Sequence, residues 1–139
     1  MRKLILASHG HLAEGMKDAA KLITGDLAES IETYCLLPGQ SPSDYAAVLQ
    51  IEIQSNPETE FVIVTDLYGA SVCSSMMPLT LNPNVKLFSG LCLSMVLNLL
   101  LSYVEPLTQL TIQEVVNQSQ DGIQFIEIEN QSDQVENDF

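Results

Sequence analysis

The chain is short of positive charge. Its 139 residues include five lysines and arginines against eighteen aspartates and glutamates, a formal net charge of −13 at pH 7. Nucleic acids and anionic membranes are bound mainly through clustered basic side chains. The composition therefore makes nucleic acid and anionic lipid surfaces poor candidates as partners.

Cysteines and long apolar runs are also scarce. Cys35, Cys73 and Cys92 are widely spaced in apolar surroundings, which indicates buried free thiols in a reducing compartment and neither a disulfide framework nor a zinc motif. The most apolar stretch, residues 91–101, is about half a membrane span long and predicts a buried helix. The apolar run near the amino terminus is too short for an export signal. The sequence thus predicts a soluble cytoplasmic protein.

The length and composition suit one folded domain followed by a tail. A chain of 139 residues, 46% of them hydrophobic, can bury a single sizeable core. Residues 129–139 are instead acidic and amide-rich and have no apolar periodicity. We therefore predict a domain over residues 1–128 and a disordered acidic tail over residues 129–139.

Strand-like and helix-like segments alternate along the predicted domain. Short apolar segments predict strands at 4–7, 31–37, 61–64 and 85–88, and an alternating segment predicts a last strand at 123–128. Helical spacing and capping residues predict helices after Gly10, after the turn at 38–42, after Ser71, and over 94–103 and 112–119. Unbroken apolar strands are typical of parallel sheets covered on both faces. The predicted fold is therefore α/β, with a doubly wound, mainly parallel sheet.

Two of the predicted strands are followed by ionisable side chains. His9 follows the first strand and Asp66 follows the third. In the strand order 2-1-3-4 these strands are neighbours, and the two side chains meet where ligands bind in open α/β sheets. A carboxylate that accepts a hydrogen bond from one imidazole nitrogen leaves the other with a free lone pair. The pair is therefore predicted to provide a nucleophile or a base.

The turns beside these residues can bind an anion. Gly69, Ala70 and Ser71 offer backbone N–H groups and a hydroxyl at a predicted helix start, and Gly10 precedes the first helix. A phosphoryl group fits such a site. Phosphatases and mutases with a histidine after the first strand also use arginines to hold phosphate firmly, whereas Arg2 lies at the wrong end of this strand. A phosphoryl group bound here without arginines would be held weakly, which suits a group that is passed on quickly.

Other interpretations of the same residues stay open. Asp66 before a glycine turn can be a helix cap, and His11 is most simply a solvent-facing residue. A metal site made of His9, His11 and Asp66 is possible but short of ligands for zinc. No metal or organic cofactor is predicted. The alternatives are a chelatase or hydrolase that uses His9 as ligand or base, and a non-catalytic dimeric module.

Four motifs resemble the mannose-family IIA component of the bacterial sugar phosphotransferase system, and the similarity extends over residues 1–128. They are Ser8-His9-Gly10 with the following Ala13-Glu14-Gly15-Met16, then Leu37-Pro38-Gly39-Gln40, Thr65-Asp66-Leu67-Tyr68-Gly69-Ala70-Ser71, and Ser89-Gly90-Leu91-Cys92-Leu93-Ser94-Met95-Val96. Each motif is weak alone, but the four occur in the right order and at the right strand ends.

The resemblance implies a cytoplasmic phosphocarrier. The histidine matching His9 would accept a phosphoryl group from phospho-HPr and deliver it to a IIB component, which serves the membrane components IIC and IID. The aspartate matching Asp66 would hydrogen-bond the imidazole, and the serine matching Ser71 would lie beside the phosphoryl group. A phosphocarrier for dihydroxyacetone phosphorylation is the alternative within this fold, and it would share His9.

The resemblance also implies a homodimer. In this family a C-terminal strand, here Ile123 to Ile128, crosses to the sheet of the partner subunit. The chain departs from the family pattern at Val72, where a proline often follows the serine, and at Cys92 and Ser94, which replace the usual Asn and Pro. These loops border the site, so they bear on partner preference and sugar class, whereas His9 and Asp66 keep the pattern.

Overall fold

The structure is a computed structural model that describes residues 1–129. Four strands form one sheet: β1 (Arg2–His9), β2 (Glu32–Leu36), β3 (Glu60–Thr65) and β4 (Val85–Phe88). The α-helices are α1 (Leu12–Thr24), α2 (Pro42–Ser55), α3 (Ser71–Met76), α4 (Leu93–Leu101) and α5 (Gln109–Asp121). Short 3-10 helices over Gly25–Ser30 and Met77–Leu81, which the sequence did not predict, follow α1 and α3.

The sheet has the order β2-β1-β3-β4, and every pairing is parallel. This confirms the predicted class and strand order. The two central strands are buried almost throughout, which explains their unbroken apolar sequences, because a strand covered on both faces has no polar side to show.

Helices cover both faces of the sheet and divide the core in two. Leu4, Leu6 and Val64 pack with α1, α4 and α5 on one face. Ile5 and Ile63 point the other way and pack with α2 and α3. Successive residues of a strand face opposite sides, so β1 and β3 serve both halves of the core. Within residues 1–129, no helix has the length and apolar character needed to cross a membrane.

The single arginine stabilises the amino end of the sheet. Arg2 Nε donates to Glu60 Oε1 at 2.8 Å, and the guanidinium also donates to the carbonyls of Leu99, Tyr103 and Glu105. These carbonyls lie at and just beyond the end of α4, where helix carbonyls have no partner within the helix. Arg2 is therefore a structural residue at the end of β1 remote from His9.

The end of the domain differs from the sequence prediction in two ways. Helix α5 begins earlier than predicted because Thr108 and Thr111 form a reciprocal capping box at its start. Residues 123–128, predicted as a strand, form no strand within the chain and follow α5 with exposed side chains. The predicted tail lies outside the described residues from residue 130 onward.

Candidate active site

The site lies where β1 and β3 leave the sheet side by side. Ala7 pairs with Thr65 in the parallel register, so His9 and Asp66 emerge together at the carboxyl edge. The His9 side chain is 47% exposed, whereas that of Asp66 is only 11% exposed. The imidazole is therefore accessible to a partner molecule while its carboxylate neighbour is held inside.

One oxygen of Asp66 contacts His9 twice. Asp66 Oδ2 accepts a hydrogen bond from the His9 backbone N–H at 2.8 Å and lies 2.9 Å from His9 Nδ1. Asp66 Oδ1 accepts from the Leu67 N–H at 2.9 Å. An ionised carboxylate can only accept, so the proton of the neutral ring is assigned to Nδ1. The lone pair is then on Nε2.

The hydrogen bonds to Asp66 keep its carboxyl group ionised. Burial acts to raise the pKa of Asp66, but donation from the His9 backbone, the His9 ring and the Leu67 N–H outweighs it and holds the pKa below its usual range. A carboxylate is therefore present next to the ring at neutral pH, and it favours any positive charge that develops on the imidazole.

Ser71 lies on the other side of the ring. Its Oγ is 3.3 Å from His9 Nε2, the nitrogen with the lone pair. The structure thus brings His9, Asp66 and Ser71 together, with the carboxylate at one ring nitrogen and the hydroxyl at the other. A group bonded to Nε2 would meet this hydroxyl, which can donate to an anionic oxygen.

The predicted anion-binding backbone groups are not equally available. The Gly10 N–H donates to the Leu36 carbonyl at 2.8 Å, and the Ala70 N–H donates to the Leu67 carbonyl at 3.2 Å. Among the described residues, the N–H groups of Gly69 and Ser71 have no such partner. A phosphoryl-binding role for Gly10, Gly69 and Ala70 stays a prediction, and the N–H groups of Gly69 and Ser71 are available for it at this turn.

No basic side chain reaches the site. Arg2 and Lys3 lie at the opposite end of β1, and Lys17 donates to the Ile31 carbonyl before β2. Lys21 pairs with Glu29, and Lys86 lies within β4. Within residues 1–129, none of them contacts His9, Asp66 or Ser71. An anion here would therefore be stabilised by neutral donors alone.

Ser8 is a positioning residue whose role the sequence did not predict. It is fully buried, and its Oγ accepts the Ala13 N–H at 2.8 Å, so a side chain from β1 caps the start of α1. The residue at the usual capping position, His11, makes no such bond. A serine inside an apolar run is a weak signal, because its burial and partner depend on tertiary structure.

Replacing Ser8 by alanine should destabilise the fold. The buried Ala13 N–H would lose its acceptor, which costs about 1–3 kcal/mol of unfolding free energy. Urea unfolding followed by circular dichroism measures this loss. Ser55→Ala, which removes an exposed hydroxyl at the end of α2, is the control and should change stability by less than about 0.5 kcal/mol. Equal losses in the two variants would contradict the capping role.

Comparison with known proteins relates the chain to components of the phosphotransferase system. A sequence model of the EIIA-man family, described as the fructose IIA component of the phosphotransferase system, matches residues 3–120. The EIIA component from Streptococcus agalactiae is 27% identical, with a TM-score of 0.77 over 90% of this chain and 97% of that one. The mannose/sorbose-specific IIA subunit from Enterococcus faecalis is 25% identical, with a TM-score of 0.72 over 93% and 97%.

Proposed function

Because this chain belongs to the EIIA-man family of phosphotransferase-system IIA components, we propose that it is a phosphohistidine carrier that acts through His9. One observation carries the proposal: His9 Nδ1 lies 2.9 Å from the Asp66 carboxylate while Nε2 lies beside Ser71 in an accessible position. A ring protonated on Nδ1 presents the Nε2 lone pair, which is what a nucleophile requires.

The transfer step follows from this geometry. The Nε2 lone pair attacks the phosphorus of a donor phosphohistidine in line, and a new P–N bond forms while the donor's P–N bond breaks. The electron pair of the broken bond returns to the donor nitrogen. Asp66 stabilises the positive charge that develops on the His9 ring, and the Ser71 hydroxyl and the N–H groups of Gly69 and Ser71 receive the phosphoryl oxygens.

The partners belong to the same proposal. The donor is phospho-HPr, and the acceptor is a IIB component that phosphorylates incoming sugar with the membrane components IIC and IID, so the protein works in the cytoplasm. The site offers neutral hydrogen-bond donors and no arginine to the phosphoryl group. This supports the proposed role, because a phosphoryl group that is bound weakly is easily released to the next carrier. No cofactor is required, since the phosphoryl group arrives already activated.

Stepwise phosphoryl transfer with purified components tests the proposal. The protein is incubated with labelled phosphoenolpyruvate, the general enzyme I and HPr, and the label on it should be labile in acid and stable in base, as expected for phosphohistidine. A reaction without HPr is the control and should give no label. The label should then pass to a IIB component. Absence of label despite the presence of phospho-HPr would contradict the proposed function.

We also propose that the protein is a homodimer in which residues 123–128 pair with the sheet of the partner. Ile123, Phe125, Ile126 and Ile128 are between 84% and 98% exposed in the single chain. Contiguous exposed apolar side chains are typical of an interaction surface. A segment that has the alternation of a strand, but pairs with no strand among residues 1–129, gains backbone hydrogen bonds by joining another sheet edge.

Two truncated chains distinguish the contribution of residues 123–128 to the dimer from that of the acidic tail. A chain that ends after Asn130 should remain a dimer in light scattering, whereas a chain that ends after Gln120 should be a monomer or aggregate. The longer of the two truncated chains is the matched control, since it lacks most of the acidic tail but keeps residues 123–128. A stable dimer formed by the shorter chain would show that this segment does not hold the subunits together.

A further inference from the structure

Three side chains of types that can bind metal ions converge at the same edge of the sheet as His9, without sharing a residue with the site described above. They are His11, which precedes α1, Glu14 in the first turn of α1, and Cys35 in β2. One ligand atom from each of the three lies within 4.8 Å of the other two. His11 Nδ1 and Glu14 Oε2 are 3.4 Å apart.

The positions of these residues in the backbone bring the three side chains together. His11 and Glu14 are three residues apart at the start of α1, and residues with this spacing are neighbours on a helix surface. Cys35 is opposite Ser8 in the parallel pairing of β1 and β2, and the bond from the Gly10 N–H to the Leu36 carbonyl ties the turn before α1 to the same strand. The half-buried Cys35 packs on the face of the sheet that α1 covers.

The separations fit a single metal ion. Zinc binds histidine nitrogen, carboxylate oxygen and cysteine sulfur at about 2.0–2.3 Å, so two ligands of a tetrahedral ion are about 3.3–3.8 Å apart. The distance of 3.4 Å between His11 and Glu14 already lies in that range. The ligand atoms of the three residues all lie within 4.8 Å of one another, so any pair has to approach by about 1 Å at most to reach this range. Rotation of the exposed side chains supplies this movement.

The ligand atoms of these three side chains indicate which metal ion would bind. A thiolate together with an imidazole favours zinc and other thiophilic divalent ions over magnesium and calcium, which prefer oxygen ligands. We propose that His11, Glu14 and Cys35 form a binding site for Zn²⁺. The His11 and Glu14 side chains are 71% and 60% exposed, so the fourth position of the ion opens to solvent and takes water or an exchangeable ligand.

Cobalt binding tests this site without reference to phosphoryl transfer. The metal-free full-length protein is titrated with Co²⁺, and a bound thiolate should give a sulfur-to-cobalt charge-transfer band in the near ultraviolet. Added Zn²⁺ should remove the band by displacing cobalt. Cys35→Ser should abolish the band, and His11→Ala and Glu14→Gln should each weaken zinc binding at least about tenfold, a loss that even outer-shell residues can cause.

Two controls assign the ligands. Cys92→Ser removes another half-buried cysteine, outside the cluster, and should keep the band. His9→Ala should also keep it, because His9 is not part of the donor set. A parent protein without a band, a band that survives in Cys35→Ser, or a band lost in His9→Ala would overturn the assignment. His11→Ala and Glu14→Gln change exposed side chains, so they give a decisive result even where Cys35→Ser does not fold.

Discussion

Replacing His9 by alanine should abolish phosphorylation of the protein. The only other histidine is His11, whose Nδ1 lies 3.4 Å from Glu14 and which has no bond to Asp66 or Ser71. Without the ring at residue 9, no nucleophilic nitrogen remains between Asp66 and Ser71. We expect no acid-labile label to be acquired from phospho-HPr, because the side chain that would carry the phosphoryl group is absent.

His11→Ala is the matched control, because it removes the second imidazole and leaves His9 in place. This variant should still acquire the label. Thermal unfolding followed by circular dichroism should show that both variants fold, with the lower midpoint for His9→Ala, because Asp66 loses the hydrogen bond from the His9 ring. Full labelling of His9→Ala would assign the phosphoryl group to a different residue.

Replacing Asp66 by asparagine should slow transfer about 100-fold without preventing it. Asparagine carries no negative charge to stabilise the ring as it becomes positive, and an amide with its NH₂ group towards Nδ1 would also favour the tautomer with the proton on Nε2. The lone pair would then be on the nitrogen that faces away from Ser71. Rapid-quench kinetics with phospho-HPr measure the rate. Asp18→Asn, on the exposed face of α1, is the control and should transfer at the parent rate.

The stability of Asp66→Asn relative to the parent protein should also depend on pH. The pKa of Asp66 is lowered in the folded protein, so its ionised form stabilises the fold above the ordinary aspartate pKa of about 4 and loses this effect as pH falls through the folded value. The difference in unfolding free energy between parent and Asp66→Asn should therefore be full at neutral pH and shrink below about pH 4. A difference that does not change with pH, or equal transfer rates, would contradict the proposed pairing.

Local patterns in the sequence were sufficient to predict the centre of the fold. β1 and β3 are unbroken apolar runs because helices cover both of their faces, and this pattern marks parallel strands directly. Once these strands are adjacent, the residues that follow them must meet at one edge. The pairing of His9 with Asp66 was therefore predictable on the assumption of the strand order 2-1-3-4, which the structure confirms.

Contacts that depend on pairing between distant segments were not predictable in this way. Cys35 meets His11 and Glu14 only because β2 joins β1 in a particular register, which no local spacing encodes. The cap that Ser8 provides to α1 likewise depends on how the helix begins over the strand. Residues 123–128 alternate between apolar and polar side chains as a strand does. This pattern does not show whether the neighbouring strand belongs to the same chain or to a second subunit.

The double contact between Asp66 and His9 has a consequence for the rate of the proposed phosphoryl transfer. Since Asp66 Oδ2 holds both the backbone nitrogen and Nδ1 of His9, the side-chain torsions of the histidine are restricted before any partner arrives. Ordering a free side chain during binding costs about 0.5–1.5 kcal/mol in conformational entropy. Here that entropy is lost when the chain folds. In the proposed phosphocarrier, the ring of the empty protein therefore needs no further ordering when the donor arrives, and this lowers the barrier to loading.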